Sequence, residues 1–406
     1  MTTTTEHFFA PCPRGLEQVL ADELRELGIA DPAPVPGGVA FTGPRDCIYR
    51  INLWSRIASR VILRVADGTY RSEEDIYQLA RDVKWEEHFT PVQTLRVDLT
   101  ATRSPLKSLK FTTLRVKDAV CDRLRELSGI RPSIDKLAPD VRVYVYVDAA
   151  RVMLYLDTSG ESLFKRGYRS DKVEAPIREN LAAGILRLAG WTPAQPLYDP
   201  MCGSGTFVIE AARIALGLPP ALRRRYGFER LKWFDAKAWE RIRTAPTKAL
   251  NPAPQIFASD ISQQTLRSAI NHFNAAGAGN VIKTRAGDLL QLDAPCAPGA
   301  LPGATAGDSI GNASGEAASS AMNGIMIANP PYGERIGNEI DLARFYPELG
   351  HVLKKHYAGW NCFFISADKQ MEKLIRLKAS RRIPLMNGDL DCRLYEFRMV
   401  AGSNRS

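Results

Sequence analysis

The sequence predicts an α/β fold class: a C-terminal doubly wound, mostly parallel sheet with an antiparallel edge hairpin, preceded by small α+β units. Three observations carry this. Beyond about residue 190, short apolar runs alternate with Gly-rich turns and amphipathic helical stretches, the rhythm of strand, turn and helix. Before about residue 160, helical and alternating patterns mix without that rhythm. The chain then closes on "RRIPLMNGDLDCRLYEFRMV", which reads as a hairpin at the sheet's edge.

Taken in order, Leu16, Val19, Leu20, Leu24 and Leu27 mark one face of a helix, and "VAFTG" and "RVILRV" read as strands. Leu95, Val97 and Leu99 alternate, and "VRVYVYVDAARVMLYLD" is a hairpin around Asp148-Ala149-Ala150. A first unit is expected over residues 5–65, a second over 66–160, and a linker with a helix over 161–190. The sheet domain is expected over 191–406. Within it, "PLYDPMCGSG" runs into the helix "TFVIEAARIALG", "QIFASD" into "ISQQTLRSAINHFNAAG", and then comes "VIKTRAGDLL". "GIMIA", residues 324–328, is short and apolar like a buried strand, and the Pro-Pro pair after it cannot continue a ladder, so Asn329 ends that strand. "WNCFFISA" is a further strand, and Lys369 to Leu377 reads as a helix. Between residues 294 and 323, 21 of 30 residues are Ala, Gly, Ser or Pro, so a disordered surface insert with little to bury is expected there.

At 406 residues, 45% hydrophobic and 24% charged, the chain has the size of two or three soluble domains. "MTTTTEHFFAPCPRG" has neither a basic start followed by an apolar run nor a small-residue cleavage site, and no stretch reaches 18 apolar residues, so a cytoplasmic protein without a membrane partner is expected. Seven scattered cysteines, with no C-x-x-C pair and no histidines at ligand spacing, argue against disulfides and a bound metal. The net charge of +9 fits an acidic partner or simply a solvated surface. Its distribution is uneven: residues 101–131 carry eight Lys/Arg against three Asp/Glu, and residues 213–248 carry ten against three.

Chemistry concentrates at strand ends. "DPMCGSGTF", residues 199–207, places Gly203 and Gly205 where a strand turns sharply into a helix, so backbone can approach a ligand while free amides at the helix start favour its polar groups. Alone, this reads equally as a tight structural turn. It lacks the Lys-Ser/Thr of a phosphate-binding loop for nucleoside triphosphates. Asp260, at the next strand end, can accept both hydroxyls of a ribose, and Asp288, at a third, suits an exocyclic amine. Either acid by itself also reads as a helix N-cap. Three such ends in order on one sheet make the ligand reading the stronger.

Together "DPMCGSGTF", "ASD", "AGD" and "NPPY" resemble the ordered motifs of S-adenosylmethionine-dependent methyltransferases acting on exocyclic amino groups. "NPPYGER" with "DPMCGSG" is most similar to the bacterial ribosomal RNA guanine-N2 methyltransferases that carry an N-terminal THUMP domain. The catalytic resemblance spans about residues 170–406. "SLKFTTLRVKDAVCDRLRE" and the hairpin after it are similar, more loosely, to a THUMP domain, whose family role is binding structured RNA. The insert at 294–323 departs from the family by lengthening the gap before NPPY.

The resemblance implies a ferredoxin-like first unit, a THUMP-like second unit and a Rossmann-like methyltransferase domain. It implies S-adenosylmethionine as cofactor, held by Asp199, Pro200, Cys202, Gly203, Ser204, Gly205, Thr206, Asp260, Ile261, Asp288, Leu289 and Asn329. Catalysis falls to Asn329, Pro330, Pro331 and Tyr332, and the partner is RNA, either large-subunit ribosomal RNA or an assembly intermediate. An aromatic amine is a poor nucleophile because its lone pair is delocalised into the ring. The side-chain oxygen of Asn329 and the carbonyl of Pro330 are acceptors that hold the amine while its nitrogen pyramidalises, and Tyr332 offers a ring for an unstacked base. Adenine-N6 and protein glutamine methylation use the same cradle, and the THUMP-like unit argues for RNA over both. An inactive assembly module is the alternative of another class, and the intact Asn329, Pro330, Tyr332 and Asp260 count against it.

For the RNA itself, Lys107, Lys110, Arg115 and Lys117 read as phosphate contacts or as the wet face of a helix. Arg223, Arg224 and Arg225 are candidates to track phosphate, while Trp233, Phe234 and Trp239 beside them read as local core.

Overall fold

The computed structural model describes residues 5–169, 177–221, 224–251, 253–297, 324–330 and 342–400. In chain order the first elements are β1 (Thr5–Pro11), α1 (Glu17–Glu26), β2 (Ala33–Val35), β3 (Gly38–Pro44), α2 (Cys47–Trp54) and β4 (Ile62–Thr69). They are followed by α3 (Glu73–Asp82), β5 (Leu95–Ala101), α4 (Leu109–Ser128), β6 (Val141–Val147) and β7 (Arg151–Asp157). The seven strands form one sheet in the order β2-β3-β1-β4-β7-β6-β5. In β6 the alternation is literal: Val141, Val143, Val145 and Val147 are buried, and Arg142, Tyr144 and Tyr146 face the other way. The helix α4 starts where Ser108 Oγ accepts from the Phe111 amide and stops at Gly129, whose φ of 74° is left-handed.

The two stretches expected as separate units share this sheet, because β4 pairs with β1 on one side and with β7 on the other. Local periodicity gives no sign of a pairing between residues about 90 positions apart. The compact unit built on this sheet comprises Met1–Cys12, Leu20–Lys165 and also Arg223–Ala245. The last stretch carries the helix α7, placed below, and packs Phe228, Phe234 and Trp239 around Tyr49 of α2, ring centroids 4.9, 6.1 and 6.1 Å away. Phe234 and Trp239 are thus local core, as expected, but of this unit.

The second unit comprises Pro13–Val19, Arg166–Leu222 and Pro246–Ser406. From residue 179 the chain runs α5 (Glu179–Leu188), β8 (Leu197–Asp199), α6 (Thr206–Ala215), α7 (Ala236–Arg243), β9 (Ile256–Asp260), α8 (Gln263–Ala275) and β10 (Ile282–Ala286). Then come β11 (Gly324–Ala328), α9 (Leu342–His356), β12 (Trp360–Ser366), α10 (Met371–Ile375), β13 (Arg381–Asn387) and β14 (Leu390–Arg398). The sheet order is β10-β9-β8-β11-β12-β14-β13, parallel from β10 to β12 and antiparallel over the closing hairpin. The helix expected from Lys369 is shorter, because Arg376 turns left-handed at φ 55° and ends it.

Every residue of β11 is buried. A Cβ on Gly324 would lie 2.6 Å from the Trp360 ring, so only glycine lets that ring cover the strand. Met326, Ala328, Tyr346, Leu353 and Phe364 complete the core around it. Of the insert expected over 294–323, residues 298–323 lie outside the described residues. At its beginning Ala294 and Cys296 are the little that it buries, packed against this core. Among the described residues no helix is long and apolar enough to cross a membrane, and no cluster of His, Cys, Asp and Glu is placed to hold a metal.

Candidate active site

Because β8, β9, β10 and β11 run parallel, their carboxyl ends share one edge of the second sheet. After β8 the chain crosses to β9 on one side and eventually to β11 on the other. This is the switch point at which open α/β sheets leave a ligand crevice.

The glycine loop fills that position. Gly203 and Gly205 both adopt left-handed conformations, φ 52° and 78°. A Cβ on Gly205 would fall 2.1 Å from the buried Phe273 ring, whereas none of the described residues lies within 4 Å of where a Cβ on Gly203 would stand. One glycine therefore lets loop and helix pack, and the other leaves open space for a ligand. Gly205 begins α6 with no side-chain cap. The loop is pinned from the neighbouring strand: the Cys202 amide donates to Ser259 O at 2.8 Å, and the Gly203 amide donates to Asp260 Oδ2 at 3.0 Å. Asp260 Oδ1 also accepts from the Ser262 amide. Ile261, beside it, is an apolar side chain left 71% exposed.

Asp199 ends β8 fully buried beside Pro200, with the Met201 amide as donor to Oδ1 and no cation partner among the described residues. Burial, with repulsion from Asp260, pushes its carboxyl well above the usual carboxylate range. Burial likewise pushes the Cys202 thiol up. Ser204 is buried, its Oγ 3.2 Å from Thr206 Oγ1. Asp288 turns its carboxylate onto the Leu290 amide, and Leu289 lies in the apolar core, which leaves its backbone as what it can offer a ligand. Asn329 follows β11 directly. Its Oδ1 is buried without a hydrogen-bond partner among the described residues, and Pro330 beside it is buried. Pro331 and Tyr332 lie outside the described residues.

The basic candidates separate into two kinds. Lys107 and Lys110 are exposed at the start of α4. Arg115 instead pairs with Glu74 and lies 4.0 Å over the Tyr77 ring, and Lys117 pairs with Asp118 at 2.9 Å. Arg224 donates to the Glu161 and Ser162 carbonyls, while Arg225 is exposed and Arg223 lies outside the described residues.

This geometry coincides with a known family. Residues 166–396 match the RMKL-like methyltransferase domain. The chain belongs to the RMKL-like methyltransferase family. Ahead of that domain, residues 7–62 match the RlmL ferredoxin-like domain and residues 70–157 the THUMP domain. The chain is 36% identical over 404 residues to "Ribosomal RNA large subunit methyltransferase K/L" of Aeromonas salmonicida, covering 98% of this chain and 55% of that protein. It is 35% identical over 403 residues to "Putative RNA methyltransferase slr0064" of Synechocystis, covering 98% of both. The chain thus spans about half the length of the K/L relatives it matches. Among solved structures, "SMU.472, a putative methyltransferase complexed with SAH" superposes with a TM-score of 0.83 at 28% identity, covering 98% of this chain and 99% of that one.

The RMKL-like domain also holds residues that the motifs did not single out. Arg169 donates to Thr206 Oγ1 at 2.6 Å and to Ile177 O at 3.1 Å, and lies 3.5 Å from Glu179. Behind it, Arg166 and Glu210 form an ion pair at 3.1 Å that is shut off from solvent. Burial pushes the Glu179 carboxyl up, with Arg169 pulling it back. Arg169 is therefore a strut between the segment before α5 and the first residue of α6. The only sequence signal for it is an unusual density of Arg and Tyr in "KRGYR", without the periodicity that would place it.

Proposed function

We propose that this protein transfers a methyl group from S-adenosylmethionine to the N2 amine of a guanine in large-subunit ribosomal RNA. The observation that carries the reading is the buried Oδ1 of Asn329, without a partner among the described residues, at the end of β11, on the sheet edge that also bears the glycine loop. A buried acceptor left without a donor is costly, and a substrate amine supplies the missing N–H.

The cofactor is S-adenosylmethionine, and the residues present fit it. The space over Gly203, open among the described residues, the start of α6 without a side-chain cap, the Asp260 carboxylate and the exposed Ile261 suit its polar and adenosine parts. Among the described residues the buried Asp199 carboxylate has no cation beside it, and an α-ammonium provides one. When bound, the sulfonium supplies an already activated methyl group, so no strong general base is required. The chain's own residues then position: Asn329 Oδ1 and Pro330 O accept from the amine, contacts that strengthen as its nitrogen becomes positive. An RNA substrate agrees with the THUMP match and with the printed names of the Aeromonas and Synechocystis relatives.

The test is tritium transfer from labelled S-adenosylmethionine to unmodified large-subunit ribosomal RNA, followed by nucleoside digestion and mass spectrometry. Label in N2-methylguanosine is expected. Label in N6-methyladenosine would replace the guanine reading, and a folded protein that binds cofactor yet labels no RNA would overturn the RNA reading.

A further inference from the structure

We propose that the first unit carries a composite phosphate-binding recess for the RNA backbone, completed by residues 224–230, which return to it from within the methyltransferase-domain sequence. The proposal rests on the RNA-methyltransferase reading above. The recess has a volume of about 390 Å³, within the range of sites that hold a nucleotide-sized ligand. Its walls come from three separated stretches, around Arg60, residues 137–142 and residues 157–165, and the fourth wall is Arg225–Arg230. The returning stretch is built in rather than lying loosely against the rest. The Phe228 amide donates to Thr158 O at 2.9 Å, and a Cβ on Gly227 would fall 2.8 Å from the Gly160 amide nitrogen, so only glycine lets the two backbones meet. Arg224 clamps the same junction through the Glu161 and Ser162 carbonyls.

The charges sort by depth. Arg60 lies deep, pairing with Asp157 at 2.7 Å and holding Gly160 O and Ser162 Oγ, so it fixes the floor. At the rim, Lys165 pairs with Glu161 in an exposed i,i+4 contact that costs little to break. Arg230 pairs with Asp140. Arg225 is exposed and makes no hydrogen bond or ion pair among the described residues. The recess therefore has five cationic side chains against three carboxylates. Two of these cations, Arg225, unpaired among the described residues, and Lys165, easily freed, can meet a polyanion entering from solvent. A fixed floor with releasable cations at the mouth suits a phosphodiester, which needs charge but no base-specific contact.

The experiment uses the full chain and an unmodified transcript of large-subunit ribosomal RNA, with affinity measured across a salt series. Arg225→Ala should lower the salt slope by roughly 1, and Arg225→Ala with Lys165→Ala by roughly 2. Cofactor affinity, followed by calorimetry, should stay unchanged. Glu161→Gln, which frees Lys165, should tighten RNA binding a few-fold, a gain that a purely structural role for these residues does not produce. If wild type binds RNA and all three variants share its slope and affinity, the recess is not an RNA site, as it would not be if it held an acidic protein segment. If wild type itself neither binds nor methylates the transcript, the RNA reading falls and the recess proposal with it.

Discussion

The Asn329 Oδ1 and the Asp199 carboxylate are both buried and, among the described residues, lack the partner their chemistry wants, and each yields a distinct expectation. Loss of the Asn329 oxygen removes one preorganised acceptor, so Asn329→Ala should lower the single-turnover rate on the order of 10²–10³ while cofactor and RNA still bind. Asn329→Asp keeps an acceptor and should retain more activity than Ala. Rates in which Ala matches wild type would end the cradle mechanism. At Asp199 the pKa is raised in the free protein by burial, and a bound ammonium would lower it. Cofactor binding should then release a proton, and affinity should be full above the raised pKa and weaken as pH falls through it. Calorimetry in buffers of differing ionisation enthalpy reads that proton directly, and Asp199→Asn should abolish the release. Equal proton release from wild type and mutant would show that another group titrates.

At the scale of elements, the glycine loop is held by packing as much as by hydrogen bonds. Gly205→Ala combines a left-handed φ with a Cβ driven into Phe273, a side chain too buried to move aside. It should cost about 1–3 kcal/mol of stability and weaken cofactor binding, as thermal unfolding and calorimetry would read. An unchanged melting temperature would mean that the loop reorganises freely. The alternation in β6, the apolar run of β11 and the acids that close β8 and β9 were legible in the sequence, because each is a local pattern with a period or a punctuating residue. What stayed hidden depends on distant partners. Counting charges over 101–131 could not show that Arg115 is taken by Glu74 of another helix, nor that Arg169 reaches Thr206. The same holds for β4, whose pairing with β7 merges two expected units into one sheet.

For the whole molecule, the division into compact units does not follow the chain. A cut after Lys165, inside the linker expected over 161–190, leaves Tyr49 without Phe228, Phe234 and Trp239. Burial of each such ring stabilises by about 1.5–3 kcal/mol, so residues 1–165 alone should unfold at a clearly lower temperature than the same fragment fused through a linker to residues 224–245. Identical melting curves would show that the aromatic cluster adds nothing to the unit.

The reciprocal exchange of segments also sets a clock for the nascent protein. Lys165 leaves the ribosome roughly 80 residues before Ala245, and the first unit is incomplete until that later stretch is synthesised. At translation rates of about 5–20 residues per second, the wait is roughly 4–16 s. Through that interval the aromatic face of α2 is open to solvent and to chaperones, while the glycine loop and α6 emerge behind it. The order of synthesis therefore makes the amino-terminal unit finish only after the heart of the cofactor loop has been translated.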